Sequence, residues 1–216
     1  METREQLRYR PDRLPAADAV DRSRSLLEAM RRRRSVRYFS PEPVPDELLR
    51  NAIEVAATAP SGANQQPWTF VVVADPQLRG LIRDAAEAEE RYSYTGAVTS
   101  EWLDELRLVK AHITEASHLV VVFRQSHRVG QHGAEHQNYY SGESVGIAVG
   151  MLAMTLHLAG VGLLVHAPPP AKFLADLLQR PRSETAFAIV SVGYAADDCV
   201  VPDLPRKSLD EVLVRK

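Results

Sequence analysis

A chain of 216 residues with 45% hydrophobic content is long enough to bury a sizeable core, in one domain or at most two. Its 26 Lys and Arg are offset by 28 Asp and Glu, for a formal net charge of -2, which excludes the broad electropositive field that non-specific nucleic-acid binding needs. The lone Cys199 excludes an intrachain disulfide and a cysteine zinc cluster, and points to a reducing cytoplasm.

Residues 1–22 are predicted to form an extended arm suited to packing on a partner subunit, because Pro11 and Pro15 punctuate a polar run without an apolar period. No apolar core of a secretory signal is present there, so no membrane association is expected. The arm leads into a single domain over 23–216. It begins with a helix over 23–32, with Leu26, Leu27 and Met30 on one side. A second helix starts at Pro45-Asp46-Glu47, where a proline and two acids suit the positive helix end, and runs to about Thr58.

Four apolar runs bounded by turn signals, at 69–73, 119–123, 162–166 and 186–192, read as buried strands. Between the second and third lies a helical segment over 144–159 that is apolar on every side and carries Gly146, Ala148, Gly150 and Ala153. Such a helix must be buried all round, in a domain core or across a subunit interface, of which a dimer interface is favoured. It is too short to span a membrane, which takes ~20 apolar residues. Strands separated by long helices imply an α+β or α/β sandwich. No Gly-x-Gly-x-x-Gly follows a strand, so a dinucleotide-binding Rossmann unit is not expected.

Two motifs carry chemistry. Arg33-Arg34-Ser35-Val36-Arg37 sets three guanidiniums and a hydroxyl within five residues, which suits a phosphate. The turn 59–68, Ala-Pro-Ser-Gly-Ala-Asn-Gln-Gln-Pro-Trp, suits a backbone that approaches a flat, hydrogen-bonding ring. Together they read as the two halves of a flavin mononucleotide (FMN) site.

With the blocks EERYSY, HQNYYSGESVGIAVG and FAIVSVGYAADDCVVPDLPRKSLDEV, these motifs resemble the nitroreductase superfamily of FMN proteins, and within it the iodotyrosine deiodinase branch. The resemblance implies a nitroreductase-like α+β sandwich: a central mixed sheet flanked by helices, two interlocked protomers, and FMN at the dimer interface. It implies FMN contacts at Arg33, Arg34, Ser35, Arg37, Ser61 and Arg206, with NAD(P)H or another reductant as electron donor. It also implies a lid over about 87–112, where Glu90, Tyr94 and Lys110 complement a zwitterionic amino acid: Glu90 its ammonium, Tyr94 and Lys110 its carboxylate. The Ala63 backbone N–H would meet the phenolate oxygen of the substrate.

One position departs from the branch. Where it places a hydroxyl residue near the reactive flavin nitrogen, this chain has Ala167, in Val165-His166-Ala167-Pro168; this favours two-electron hydride chemistry over one-electron dehalogenation. Reductive dehalogenation of a halogenated tyrosine is the leading expectation. A broad NAD(P)H-dependent nitro or quinone reductase and a non-catalytic flavin-binding protein stand as alternatives. His112, His132 and His136 are the candidates for a metal, and none is expected; no nucleophile elbow supports a hydrolase.

Overall fold

The computed structural model describes residues 8–94, 109–129, 134–167 and 171–216, with the side chains of Ser93, Tyr94 and Val129 outside that set. The chain divides after Arg33 into two compact units.

In the first unit a single helix, α1, spans Ala16–Arg32. This corrects the expected arm: residues 16–22 are helical rather than extended, and the contact boundary falls eleven residues beyond the expected one, after Arg33. Pro15 sits at the N-cap and Asp18 in the first turn, both suited to a helix start. No residue of α1 is buried, so its first turns carry no core-facing apolar pattern from which a helix could be read.

The second unit contains α2 (Asp46–Ala57), β1 (Trp68–Val73), α3 (Pro76–Tyr94), α4 (His112–Glu115), β2 (His118–Gln125), β3 (His127–Val129) and β4 (Glu135–Gln137). It continues through α5 (Ser141–Leu158), β5 (Gly162–His166), α6 (Lys172–Leu177), β6 (Glu184–Gly193) and α7 (Leu209–Val212). All four predicted strands are present. They form one sheet in the order β1-β2-β6-β5, and β3 and β4 form a separate ribbon. Every pairing between named strands is antiparallel. The parallel element of the expected mixed sheet is an isolated bridge between Ser35 and Leu163.

Side chains alternate across a strand, and β2 sorts its apolar run accordingly. Val120 and Val122 join Ala188 and Val190 in a core with α2 and α5, whereas Leu119, Val121 and Phe123 join Ile189 in a second core with Ile82 of α3, Ile113 of α4 and Leu174 of α6. Helices on both faces explain why an antiparallel strand here reads as an unbroken apolar run rather than an alternating one.

The all-apolar helix α5 is covered on only part of its circumference. Val145, Ala148, Leu152 and Leu156 are buried, while Ile147 and Leu158 are exposed at 46% and 53%. Arg79 fixes α3 to the sheet and to α4. Its guanidinium donates to the carbonyls of Val73, Ala116 and Ser117 at 2.7, 2.8 and 3.0 Å. Among the described residues no helix is long and apolar enough to cross a membrane.

Candidate active site

Residues 35 and 36 lie along the free edge of β5. Ser35 bridges Leu163, and the Val36 N–H donates to the Leu163 carbonyl at 3.0 Å. Gly162 makes this approach possible, since a Cβ there would stand 2.8 Å from Val36 Cγ2. Arg34 is drawn to the C-terminal segment, donating to the Leu204 carbonyl at 2.9 Å and meeting Asp203 Oδ1 at 3.4 Å. Arg206 follows two residues later, so the guanidiniums expected at a phosphate belong to neighbouring segments. Arg33 is the last residue of the first unit.

At the far end of β5 a second group of polar side chains meets. His166 pairs with Ile189 in the sheet and Leu164 with Ser191, so His166, Leu164 and Ser191 lie on the face that carries α3 and α4. From α3, Glu90 forms an ion pair with Lys110, which precedes α4. Both are withdrawn from water, with the lysine side chain 7% and the glutamate side chain 19% exposed. Neither charge therefore belongs to a solvated helix face. Glu87, one turn earlier, accepts the Lys110 backbone N–H at 2.8 Å and Arg83 Nε at 2.9 Å. Burial alone would raise its pKa, but these donors hold it below the usual carboxylate value. The helix carries both Glu90 and Tyr94; the Tyr94 side chain and most of the predicted lid lie outside the described residues.

Two histidines complete this group. His112 is buried, with Nδ1 2.9 Å from Ser191 Oγ, and its ring meets that of His166 edge to face at a centroid distance of 5.8 Å. Burial pushes His112 down to about 3 and His166 to about 4, assisted in both by neighbouring Lys110 and Arg37. Both imidazoles are therefore neutral near pH 7. The Nδ1 of His166 is buried and has no hydrogen-bond partner among the described residues. Ala167 follows directly. The alignment of His166 with His112 is not legible in the sequence, since it follows only from the register of β5 with β6.

The other half of the expected site leads into β1. Ser61 Oγ accepts the Gln66 N–H at 2.9 Å, closing a turn in which Ala63, Asn64 and Gln66 have φ of 51°, 55° and 49°. Left-handed backbone at three non-glycine positions is a local cost, retained where the surroundings enforce it. Gln65 Oε1 accepts the Tyr139 N–H at 2.8 Å, and Gly62 lies against the Tyr139 carbonyl. Turn and α5 entrance are thus pinned together. Of the remaining histidines, His136 lies in β4 opposite Arg128 and His132 is outside the described residues.

The helix-covered sheet is shared with a solved flavoprotein. The structure described as oxidized iodotyrosine deiodinase bound to FMN and 3-iodo-L-tyrosine matches with a TM-score of 0.75 and 34% identity, over 88% of this chain and 97% of that one. Residues 30–194 match the model of the nitroreductase family, and the chain belongs to that family. It is 43% identical to the iodotyrosine deiodinase of Haliscomenobacter hydrossis over 96% of this chain and 99% of that protein. With the iodotyrosine deiodinase of Danio rerio it shares 38% identity, over 95% of this chain and 72% of that protein.

Proposed function

We propose that the protein is an FMN-dependent oxidoreductase that removes halogen reductively from halogenated tyrosines or closely related zwitterionic phenols. The observation that carries this reading is the withdrawn Lys110–Glu90 ion pair beside the Arg37 segment. One cation and one anion, largely desolvated and adjacent, complement the carboxylate and ammonium of an amino acid, and each can exchange its partner without leaving a bare charge.

The donor set fits FMN. Arg34, Ser35, Arg37 and Arg206 would supply fork-shaped and hydroxyl donors for a phosphate, and the Ser61–Ala63 turn would present backbone to a ring at a place where Gly62 has no room for a side chain. Bound FMN supplies the two electrons of the overall change, in which an aryl halide takes two electrons and one proton to give the arene and a halide ion. The protein's own part is to hold the headgroup through Lys110, Glu90 and Tyr94, to offer the Ala63 N–H to the phenolate, and to exclude water. NAD(P)H is the proposed external reductant, and a reducing cytoplasm, in keeping with the lone Cys199, the proposed location.

The active form is proposed to be a homodimer. The turn at 61–66 enters β1 at one edge of the sheet, and residues 35–36 lie on β5 at the other. Three strand spacings, about 14 Å, separate those edges, and a second copy supplies the missing half of each site. The exposed Ile147 and Leu158 on α5 and the exposed Val200, Leu204 and Leu209 near the C-terminus are apolar surface that such a pairing covers.

A broad nitro or quinone reductase is the second reading, favoured by Ala167, whose side chain offers no hydrogen bond at the end of β5. Dithionite-reduced, FMN-loaded protein incubated with 3-iodotyrosine separates the two. Stoichiometric tyrosine and iodide are expected, and reoxidation by nitroaromatics with no tyrosine formed would contradict the dehalogenation reading.

A further inference from the structure

The Lys110–Glu90 pair offers a headgroup one cation and one carboxylate, whereas an amino-acid headgroup makes more demands than that. An ammonium carries three N–H donors, and the nearby carboxylate of Glu87 is already committed to Arg83 and to the Lys110 N–H. Among the described residues the ammonium side of the headgroup therefore has room for an acceptor beyond Glu90. His166 stands in the electrostatic reach of Lys110, Glu90 and Arg37, and its Nδ1 is buried with no partner among the described residues.

Buried polar atoms are nearly always hydrogen-bonded, and an orphan at a ligand site is explained when the ligand supplies the partner. The ring is held for that purpose. β5 carries its backbone in register with Ile189, and His112, fixed by its 2.9 Å contact with Ser191 Oγ, packs against it edge to face. Two neighbouring cations and burial leave the imidazole neutral, so with the proton on Nε2 the Nδ1 lone pair is an acceptor.

We infer that His166 is a further substrate-recognition residue, its Nδ1 accepting a hydrogen bond from the ammonium group of the amino-acid ligand alongside Glu90. The inference rests on the proposed zwitterionic substrate. It makes a free primary amine, and not only the phenol, part of what the site selects.

The test uses FMN-loaded full-length protein and two probes, 3-iodotyrosine and its deaminated analogue 3-(4-hydroxy-3-iodophenyl)propanoate, with Kd read from quenching of flavin fluorescence. His166→Phe keeps a ring against His112 and removes Nδ1; His166→Asn keeps a polar atom close to that position. His166→Phe is expected to weaken iodotyrosine about tenfold, the scale of one charge-assisted hydrogen bond, while changing the analogue less than about twofold. His166→Asn is expected to restore most of the loss. Equal weakening of both probes by His166→Phe, or no weakening of either, would overturn the role of His166 and leave the substrate reading standing. Failure of the unmodified protein to bind iodotyrosine would instead overturn the substrate reading, and the inference with it.

Discussion

Arg34 reaches across 170 positions of sequence to donate to the Leu204 carbonyl at 2.9 Å. The contact ties the segment along β5 to the one that carries Arg206, so the two arginines, both proposed FMN contacts, are expected to differ in their effect on flavin binding. Arg206→Ala removes one proposed charge-assisted contact, and flavin affinity is expected to fall about tenfold. Arg34→Ala also releases the C-terminal segment, so it is expected to cost more and to expose that segment to proteolysis. Flavin titration of the apoprotein and limited proteolysis measure the two effects.

The buried histidines predict a pH dependence of stability. The fold holds His112 near 3 and His166 near 4, against 6.5 for the free side chain. Between those values the unfolded chain binds more protons, so stability is present in full above pH 6.5 and is lost as pH falls towards 4. The slope is on the order of 1 kcal/mol per pH unit for each histidine. Urea unfolding at pH 7.5 and 5 is expected to show a clear loss at the lower pH, and His166→Asn is expected to remove about half of it.

Gly62 predicts a steric effect at the β1 side. A Cβ there would stand 2.9 Å from the Tyr139 carbonyl oxygen, a backbone atom that cannot swing away. Gly62→Ala is therefore expected to displace the turn or the start of α5, costing about 1–3 kcal/mol and weakening flavin binding. Ala63→Gly, at a φ of 51°, is expected to be tolerated. Thermal unfolding with and without FMN compares the pair.

Ala167 predicts a change in reaction preference. Ala167→Thr adds a hydroxyl at the end of β5, and the resemblance to the deiodinases associates a hydroxyl there with dehalogenation. The ratio of iodotyrosine turnover to nitroaromatic turnover is expected to rise, with FMN content unchanged. Parallel steady-state assays of the two substrates measure it.

Which parts of this arrangement were legible in the sequence follows from range. The strands were readable because 119–123 is apolar at every position, and α5 because its apolar run has helical length. The beginning of α1 was not readable, since a helix with no buried residue carries no period in its first turns. Lys110 and Glu90 were paired only through family resemblance; 20 residues apart, they meet because Arg79 clamps α3 to the carbonyls before β2. The contact of His112 with Ser191 spans 79 positions and depends on strand register, which hydrophobic patterning does not set to the residue. The edge-to-edge separation of the two flavin half-sites likewise follows from strand order.

The central claim is that the site selects an amino-acid headgroup. Its most direct measurement is the quenching of flavin fluorescence by 3-iodotyrosine and by 2-iodophenol, which share the halogenated phenol and differ in the headgroup. Iodotyrosine is expected to bind far more tightly, with the difference largely lost in Lys110→Ala, because removing one partner of a desolvated charge pair costs about 2–5 kcal/mol. Equal binding of iodotyrosine and iodophenol by the unmodified protein would contradict the account.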